Sequence, residues 1–246
     1  MEIVGRGFIA RNLAAVGDRH PHATVIAAGV SSTSTSTLDE EFDREAALVD
    51  EITRRCRAEG RLVVFLSTSS HALYGTGDTP MAEDAALSPV SAYGRQKLRL
   101  EGIVAECGAP WLTLRVSHAM GRWQRAHQLL PAFVQQVRDG TVRLYQGAHR
   151  DMVDVADLVR AIDGLLDEGV EKEIVNVASG TPRPVEAVVD GIEKRLGLFA
   201  RREIVDVPVA MTPVSIEKLC GLLPGMRSVT EADYLDRLLD RYVPYY

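Results

Sequence analysis

Short apolar runs rich in β-branched residues alternate along this chain with longer segments that have the apolar periodicity of amphipathic helices. The runs predict β-strands at residues 2–4, 23–28, 62–66, 111–116, 142–145 and 174–177. The periodic segments predict helices that begin near Phe8 and span about 38–58, 93–107, 129–139, 155–168 and 185–198. Strands that alternate with helices favour an α/β fold with a parallel, helix-covered sheet.

The remainder of the chain is less regular. Ser, Thr, Gly and Pro predict loops at 31–37 and 75–90, and a short strand near Ile204 is followed by helices near 215–223 and 231–242. We therefore expect two parts. The expected parts are a nucleotide-binding core of residues 1–125 with parts of 150–180, and a small substrate-binding lobe of residues 126–149 and 181–246.

Charge and cysteine content narrow the classes of partner. A formal net charge of -6 gives no overall positive field to attract nucleic acid or an anionic membrane. No apolar run reaches the roughly 20 residues that span a bilayer, and no signal peptide is evident, so we expect a cytoplasmic protein. The cysteines Cys56, Cys107 and Cys220 have no disulfide or metal-ligand spacing, which predicts free thiols and no metal site.

A glycine-rich segment links the first predicted strand to the first predicted helix. It reads Gly5-Arg6-Gly7-Phe8-Ile9-Ala10. Glycines at such a turn let the backbone approach a pyrophosphate, and the helix N-terminus offers free N–H groups and a positive dipole. The segment predicts phosphate binding by residues 5–10; the alternative is a tight turn without a ligand.

Two further segments carry side chains suited to proton transfer. Tyr93 and Lys97 lie four residues apart in a predicted helix and share one face, where an ammonium stabilises a phenolate and lowers the pKa of the phenol. The hydroxyl-rich run from Ser67 to Ser70 follows a buried strand, at the edge where ligands of parallel sheets bind. Taken singly, each pattern is also typical of exposed helix or loop side chains.

Together these segments resemble, in the same order, the motifs of the extended short-chain dehydrogenase/reductase family of NAD-dependent epimerases and dehydratases. The matching segments are GRGFIARNL, VIAAG, FLSTSSHALYG, SPVSAYGRQKLRLE, LRVSHAMG, HRDMVDVADLVRAI and VNVASG. The resemblance implies a Rossmann-like doubly wound sheet. It also implies hydride exchange between NAD or NADP and a nucleotide-linked sugar during epimerisation, dehydration or reduction.

The resemblance implies roles for individual residues. Tyr93 would be the catalytic acid/base, Lys97 would bind the cofactor ribose and lower the pKa of Tyr93, and Ser70 would be the catalytic hydroxyl. The residues implied in cofactor binding are Gly5, Arg6, Gly7, Phe8, Ile9, Ala10, Ala27, Ala28, Gly29 and Lys97. The candidate substrate ligands are Ser69, His71, His118 and Arg150, the last for the nucleotide diphosphate. Family members often dimerise through two helices, here about 38–58 and 91–107, so we expect a homodimer.

The chain departs from the family pattern in its cofactor half. An acidic residue is expected about 20 residues beyond Gly7 to hold the adenosine ribose, but Ala27 lies there. The strand at 23–28 resembles the family's fourth strand, which indicates that the second and third strands are missing and that the sheet is shortened at its adenosine-binding edge. His71-Ala72 replaces the acidic pair of family dehydratases, which argues against sugar dehydration, and His118 replaces an asparagine.

Three functions remain open on these residues. The first is an NAD(P)-dependent epimerase or ketoreductase for a nucleotide-activated sugar. The second is an enzyme in which Tyr93, Lys97 and His118 catalyse proton transfer without a dinucleotide, because the cofactor half is shortened. The third is a non-catalytic binding protein, since fold alone does not fix function. The presence of Ser70 together with Tyr93 and Lys97 argues against the third.

Overall fold

The computed structural model describes residues 1–30, 38–77, 79–206 and 211–246. Its strands and helices are β1 (Glu2–Val4), α1 (Phe8–Leu13), β2 (Ala23–Ile26), α2 (Leu38–Glu59), β3 (Leu62–Thr68), α3 (His71–Tyr74), α4 (Ala92–Ala105), β4 (Trp111–Val116), β5 (His118–Met120), α5 (Leu129–Arg138), β6 (Thr141–Tyr145), β7 (His149–Arg150), β8 (Met152–Asp154), α6 (Val155–Asp167), β9 (Glu173–Val177), β10 (Arg183–Pro184), α7 (Val185–Leu196), β11 (Arg201–Val205), α8 (Glu217–Leu222) and α9 (Tyr234–Tyr242). Short 3₁₀ helices lie at Ala14–Arg19, Pro224–Thr230 and Val243–Tyr245. The loop predicted at 31–37 lies outside the described residues.

Five parallel strands form the central sheet, in the order β1-β2-β3-β4-β9. The predicted α/β fold with a parallel, helix-covered sheet is confirmed. Among the described residues β1 is an edge strand, paired with β2 alone. This edge is where the interpretation of two missing strands places the end of the sheet.

Apolar side chains cover both faces of the sheet because successive residues of a strand point to opposite sides. Val63 and Phe65 of β3 join a cluster with side chains of α2 and α4, including Val49 and Leu100. Val64, between them, joins a larger cluster with side chains of α1, α6, α7 and the C-terminal helices. Burial of β3 on both faces explains why the predicted run at 62–66 is continuously apolar.

Outside the central sheet, the described strands form three two-stranded pairs, β7 with β10, β6 with β11 and β5 with β8. Of these strands, β5, β7, β8 and β10 are not predicted by the sequence pattern, nor is the single turn of α3. Two predicted boundaries are also corrected. Ser67 and Thr68 belong to β3 rather than to the following loop, and β2 ends at Ile26, so Ala27 and Ala28 are loop residues.

The segment from residue 211 onwards packs on the core through α8 and α9. Asp154, the N-cap of α6, accepts a hydrogen bond from the Tyr242 hydroxyl of α9 at 2.6 Å. Leu219 and Leu239 are buried in the larger apolar cluster. The division into a nucleotide-binding core and a substrate lobe stays a prediction. No helix in the described ranges has the length and apolar character needed to cross a membrane.

Candidate functional site

The loops that follow β1 and β2 touch at the carboxyl edge of the sheet. Gly5 has a φ of 140°, and a Cβ at this position would lie 2.7 Å from the carbonyl oxygen of Ala27. Glycine is therefore required for this contact. Gly7 is the N-cap of α1, and a Cβ built there meets no atom within 4 Å, so open space adjoins its backbone.

The remaining residues of the predicted phosphate loop divide between packing and exposure. Phe8 is buried in the larger apolar cluster, and Ile9 packs against that cluster. Ala10 is also buried. Arg6 is exposed. Because the side chains of Phe8 and Ala10 serve the core, their share in ligand binding is limited to backbone groups.

The helix that follows Ser70, α3, is in backbone contact with the helix that carries Tyr93, α4. A Cβ at Gly94, next to Tyr93 in α4, would lie only 1.7 Å from the carbonyl oxygen of Ala72 in α3. The backbone N–H of Val90 donates a hydrogen bond to the same oxygen at 3.2 Å. Gly94 therefore allows α4 to approach α3 closely, which brings the segment of Tyr93 against that of Ser70.

Lys97 lies in a buried ion pair. Its Nζ donates a hydrogen bond to Glu45 Oε1 of α2 at 2.7 Å, and both side chains are almost fully buried. The same Nζ lies 5.7 Å from the centroid of the Tyr93 ring and 5.5 Å from that of Phe65. Tyr93 itself is half-buried. The structure thus brings Tyr93 and Lys97 together on one helix face, as predicted, and adds a carboxylate.

Glu45 is a residue that the sequence reasoning missed. It lies on the buried stripe of α2 with Phe42, Val49 and Ile52. An acidic residue on an apolar stripe needs a buried partner, and this was the available signal.

A buried polar network links α3 and α4 to the central sheet. Arg115 of β4 donates hydrogen bonds to Glu101 of α4 at 2.8 Å and to the Tyr74 hydroxyl at 2.9 Å. The Tyr74 hydroxyl in turn donates to Asn176 Oδ1 of β9 at 2.7 Å. Burial raises the pKa of Tyr74. Tyr74 therefore stays neutral and acts as a structural link between α3 and the sheet.

A cleft of about 370 Å³, including its open mouth, lies at Ser69, Ser70 and His71, between the end of β3 and the start of α3. Its wall contains Ser69, Ser70, His71, Ser117, His118, His149, Arg150, Asp151, Pro182, Met211, Thr212 and Val214. All the predicted substrate ligands thus lie in one cleft with the predicted catalytic serine. Three buried polar atoms of this wall have no hydrogen-bond partner among the described residues, Ser69 Oγ, Ser117 Oγ and Asp151 Oδ2.

Arg150 of β7 brings a positive charge into the cleft. Its side chain is half-buried. Within the described ranges Nη1 donates a hydrogen bond to the carbonyl oxygen of His149 at 2.8 Å, and the guanidinium has no carboxylate partner. Burial lowers the pKa of this guanidinium. A half-buried cation with no carboxylate partner in the described ranges favours an anionic ligand.

Two of the three histidines of the cleft wall, His71 and His118, are held in the neutral form. Burial, and then the positive charge of Arg150, lower the pKa of His118 to about 4. The same two causes lower the pKa of His71. His118 Nδ1 lies 3.2 Å from the carbonyl oxygen of Asp151, so Nδ1 carries the proton and Nε2 is the unprotonated nitrogen. His118 therefore offers a hydrogen-bond acceptor.

Comparison with known proteins finds one matching family model and several curated relatives. The model of the NAD dependent epimerase/dehydratase family matches residues 9–178. A dTDP-4-dehydro-6-deoxyglucose reductase of Escherichia coli is 28% identical over 143 residues, which are 54% of this chain and 45% of the relative. An ADP-L-glycero-D-manno-heptose-6-epimerase of Alkalilimnicola ehrlichii is 27% identical over 167 residues, 61% of this chain and 51% of the relative. The chain spans about half the length of the curated relatives it matches.

Two solved structures show the same fold. MoeE5 in complex with UDP-glucose and NAD superposes with a TM-score of 0.78 at 21% identity, covering 98% of this chain and 84% of that one. RMD from Pseudomonas aeruginosa complexed with NADPH gives a TM-score of 0.75 at 16% identity, covering 96% of this chain and 98% of that one. At these identities the likeness establishes the Rossmann-like fold.

Proposed function

We propose, because the chain belongs to the NAD-dependent epimerase/dehydratase family, that it binds NAD or NADP and epimerises or reduces a nucleotide-linked sugar. The curated relatives described above are a reductase and an epimerase of nucleotide-linked sugars. MoeE5 holds NAD with UDP-glucose, and RMD holds NADPH. The proposal extends these properties to a chain whose described sheet ends at β1.

The observation that carries the proposal is the uncompensated cation of Arg150 in the cleft beside Ser70. A nucleoside diphosphate supplies the negative charge that the described residues do not. The unpartnered oxygens of Ser69, Ser117 and Asp151 line the same wall and are suited to the hydroxyl groups of a sugar. One ligand with both a diphosphate and a polyol would satisfy all four groups.

The residues at the carboxyl edge fit a dinucleotide in part. Gly5 and Gly7 give close backbone approach and open space, and Lys97 lies beneath the loop that contains Gly29. These residues would hold the pyrophosphate and the nicotinamide ribose. NAD or NADP, when bound, supplies the hydride acceptor or donor. Since β1 ends the described sheet, the adenosine end has fewer strands around it than in a full doubly wound sheet.

Within this arrangement Tyr93 is proposed as the acid/base. Its phenol would take a proton from, or return it to, the sugar hydroxyl that changes oxidation state. The positive charge of Lys97, 5.7 Å from the ring centroid, stabilises the phenolate. Ser70 would hold the same sugar oxygen. We also propose that α2 and α4 form the dimer interface, by resemblance to the family.

Calorimetric titration of dialysed protein with NAD⁺, NADH, NADP⁺ and NADPH tests the cofactor half, after absorbance has confirmed that no dinucleotide co-purifies. Micromolar or tighter binding of one redox pair is expected. Turnover of UDP- and dTDP-linked sugars is then compared between wild type and Tyr93→Phe, which should lose at least about 100-fold. Tyr145→Phe, at an exposed tyrosine of β6, is the matched control. Full activity of Tyr93→Phe would refute the assigned acid/base.

A second function is supported by one observation, the neutral imidazole of His118 in the cleft. With its unprotonated Nε2 this side chain can accept a proton from carbon or oxygen without a dinucleotide. Absence of binding of all four dinucleotides, together with substrate conversion by the cofactor-free protein, would favour this function over the first.

A further inference from the structure

The Lys97–Glu45 pair lies where ligand chemistry is proposed. A Cβ at Gly29, an exposed residue of the loop after β2, would lie 2.3 Å from Glu45 Oε1 and 3.4 Å from Lys97 Nζ. Both charged groups are therefore directly beneath this loop. The backbone N–H of Val30 also donates a hydrogen bond to Glu45 Oε1, at 3.2 Å. The pair therefore contacts the loop at the carboxyl end of β2.

Within the described residues, hydrogen bonds satisfy only one oxygen of the Glu45 carboxylate. Glu45 Oε1 accepts from both Lys97 and Val30, whereas the buried Oε2 has no hydrogen-bond partner in the described part of the chain. A buried carboxylate oxygen without a donor is unfavourable for stability. A buried ion pair carries a desolvation cost that packed apolar side chains avoid, and the ammonium of this pair lies 5.7 Å from the centroid of the Tyr93 ring.

We propose that Glu45 is a positioning residue that keeps the buried Lys97 charged and oriented towards Tyr93. An isolated ammonium in a buried site tends to lose its proton, because burial disfavours the charged form. A carboxylate at 2.7 Å offsets this penalty. The inference rests on the proposed function in one respect, that the charge of Lys97 assists Tyr93.

The other charged groups near Lys97 do not replace Glu45. On α4 itself, Arg95 and Arg99 are exposed, and Glu101 is already paired with Arg115 of β4. His71 of α3 is neutral because burial lowers its pKa. β3, the loop at 27–30 and the segment 31–37 contain no acidic or basic side chain. Glu45 is therefore the single buried acidic side chain of α2, α3 and β3 in the described ranges that faces Lys97.

The protonation of Lys97 can be measured directly, without substrate or cofactor. The chain has four lysines, Lys97, Lys172, Lys194 and Lys218, so the Cε signals of carbon-labelled lysine are few, and Lys97→Arg assigns one of them. In Glu45→Gln the pH at which Lys97 loses its proton should fall by roughly one to three pH units. Glu45→Asp, which keeps the charge, should restore most of it. Asp50→Asn, at an exposed acid of the same helix, is the matched control.

The outcomes separate this inference from the proposed function. An unchanged Lys97 titration in folded Glu45→Gln, with folding verified by circular dichroism, overturns the inference whether or not the protein turns over a sugar. A lowered titration supports it even if no dinucleotide binds. Where turnover is found, the alkaline limb of the pH–rate profile should move to lower pH in Glu45→Gln and stay in place in Asp50→Asn. An alkaline limb that does not move would remove the functional part of the inference.

Discussion

Two glycines of the same helix should respond in opposite ways to a single added methyl group. In Gly94→Ala the new Cβ would lie 1.7 Å from the backbone oxygen of Ala72, about half of a normal contact distance. Because the obstacle is backbone, α4 must move away from α3. In Gly102→Ala the Cβ meets nothing within 4 Å.

The expected magnitudes follow from these environments. Overpacking at Gly94 should lower the free energy of unfolding by about 3 kcal/mol, or roughly 6–12 °C in Tm for a chain of this size. Gly102→Ala removes an exposed glycine from a helix interior and should raise the free energy of unfolding by about 0.5–1 kcal/mol. Urea melts followed by tryptophan fluorescence and circular dichroism measure both.

The two glycine variants should also differ in turnover. Since Gly94 follows Tyr93 and sets the approach of α4 to α3, Gly94→Ala should reduce turnover more than its stability loss explains, and Gly102→Ala should not. If Gly94→Ala is as stable as the wild type, or if both variants shift Tm in the same direction, the contact between α3 and α4 is not as described.

Two further predictions concern the cleft. The pKa of His118 is lowered to about 4, whereas an unfolded histidine has a pKa of about 6.5. As the pH falls, the unfolded state therefore binds the proton first. The free energy of unfolding should fall by about 2 kcal/mol between pH 6.5 and pH 4, a figure that allows for the partial exposure of the ring. Urea melts of His118→Asn should show a correspondingly smaller acid decline, and an identical decline would contradict the assignment. Arg150→Met should leave the free energy of unfolding unchanged or raise it by up to about 1 kcal/mol. The affinity for UDP, measured by calorimetry, should fall at least tenfold, on the order of a lost charge-assisted hydrogen bond. Arg143→Met, at an exposed arginine, is the control. Marked destabilisation by Arg150→Met would indicate a packing role instead.

The main elements could be predicted from sequence because their signals are local. β3 begins with a continuous apolar run from Leu62 to Leu66, which is typical of a strand buried on both faces. α6 combines a strong apolar stripe with an N-cap, since Asp154 accepts a hydrogen bond from the N–H of Ala156 at 2.8 Å. Such patterns depend on residues within one or two turns of each other, so they are legible without the fold.

The unpredicted elements depend on distant residues. β7 has two residues and pairs with two residues of β10, with Arg150 opposite Arg183. Runs this short carry no periodicity, and their pairing is decided by the packing around them. Glu45 illustrates the same limit at the site. Its place on an apolar stripe signals a buried partner, but Lys97 lies on another helix and the local sequence does not identify it.

Residue type alone likewise does not separate the two tyrosines near the carboxyl edge of β3. Tyr74 is 1% exposed, and its hydroxyl donates to Asn176 and accepts from Arg115, so its proton is committed and burial raises its pKa. Tyr93 is half-buried and lies beside Lys97. Within the described residues its hydroxyl has no hydrogen-bond partner. A general acid/base must reach a ligand and change its protonation. Within the described residues the Tyr74 hydroxyl is committed to two partners and the Tyr93 hydroxyl is not, which is why we propose Tyr93 as the acid/base.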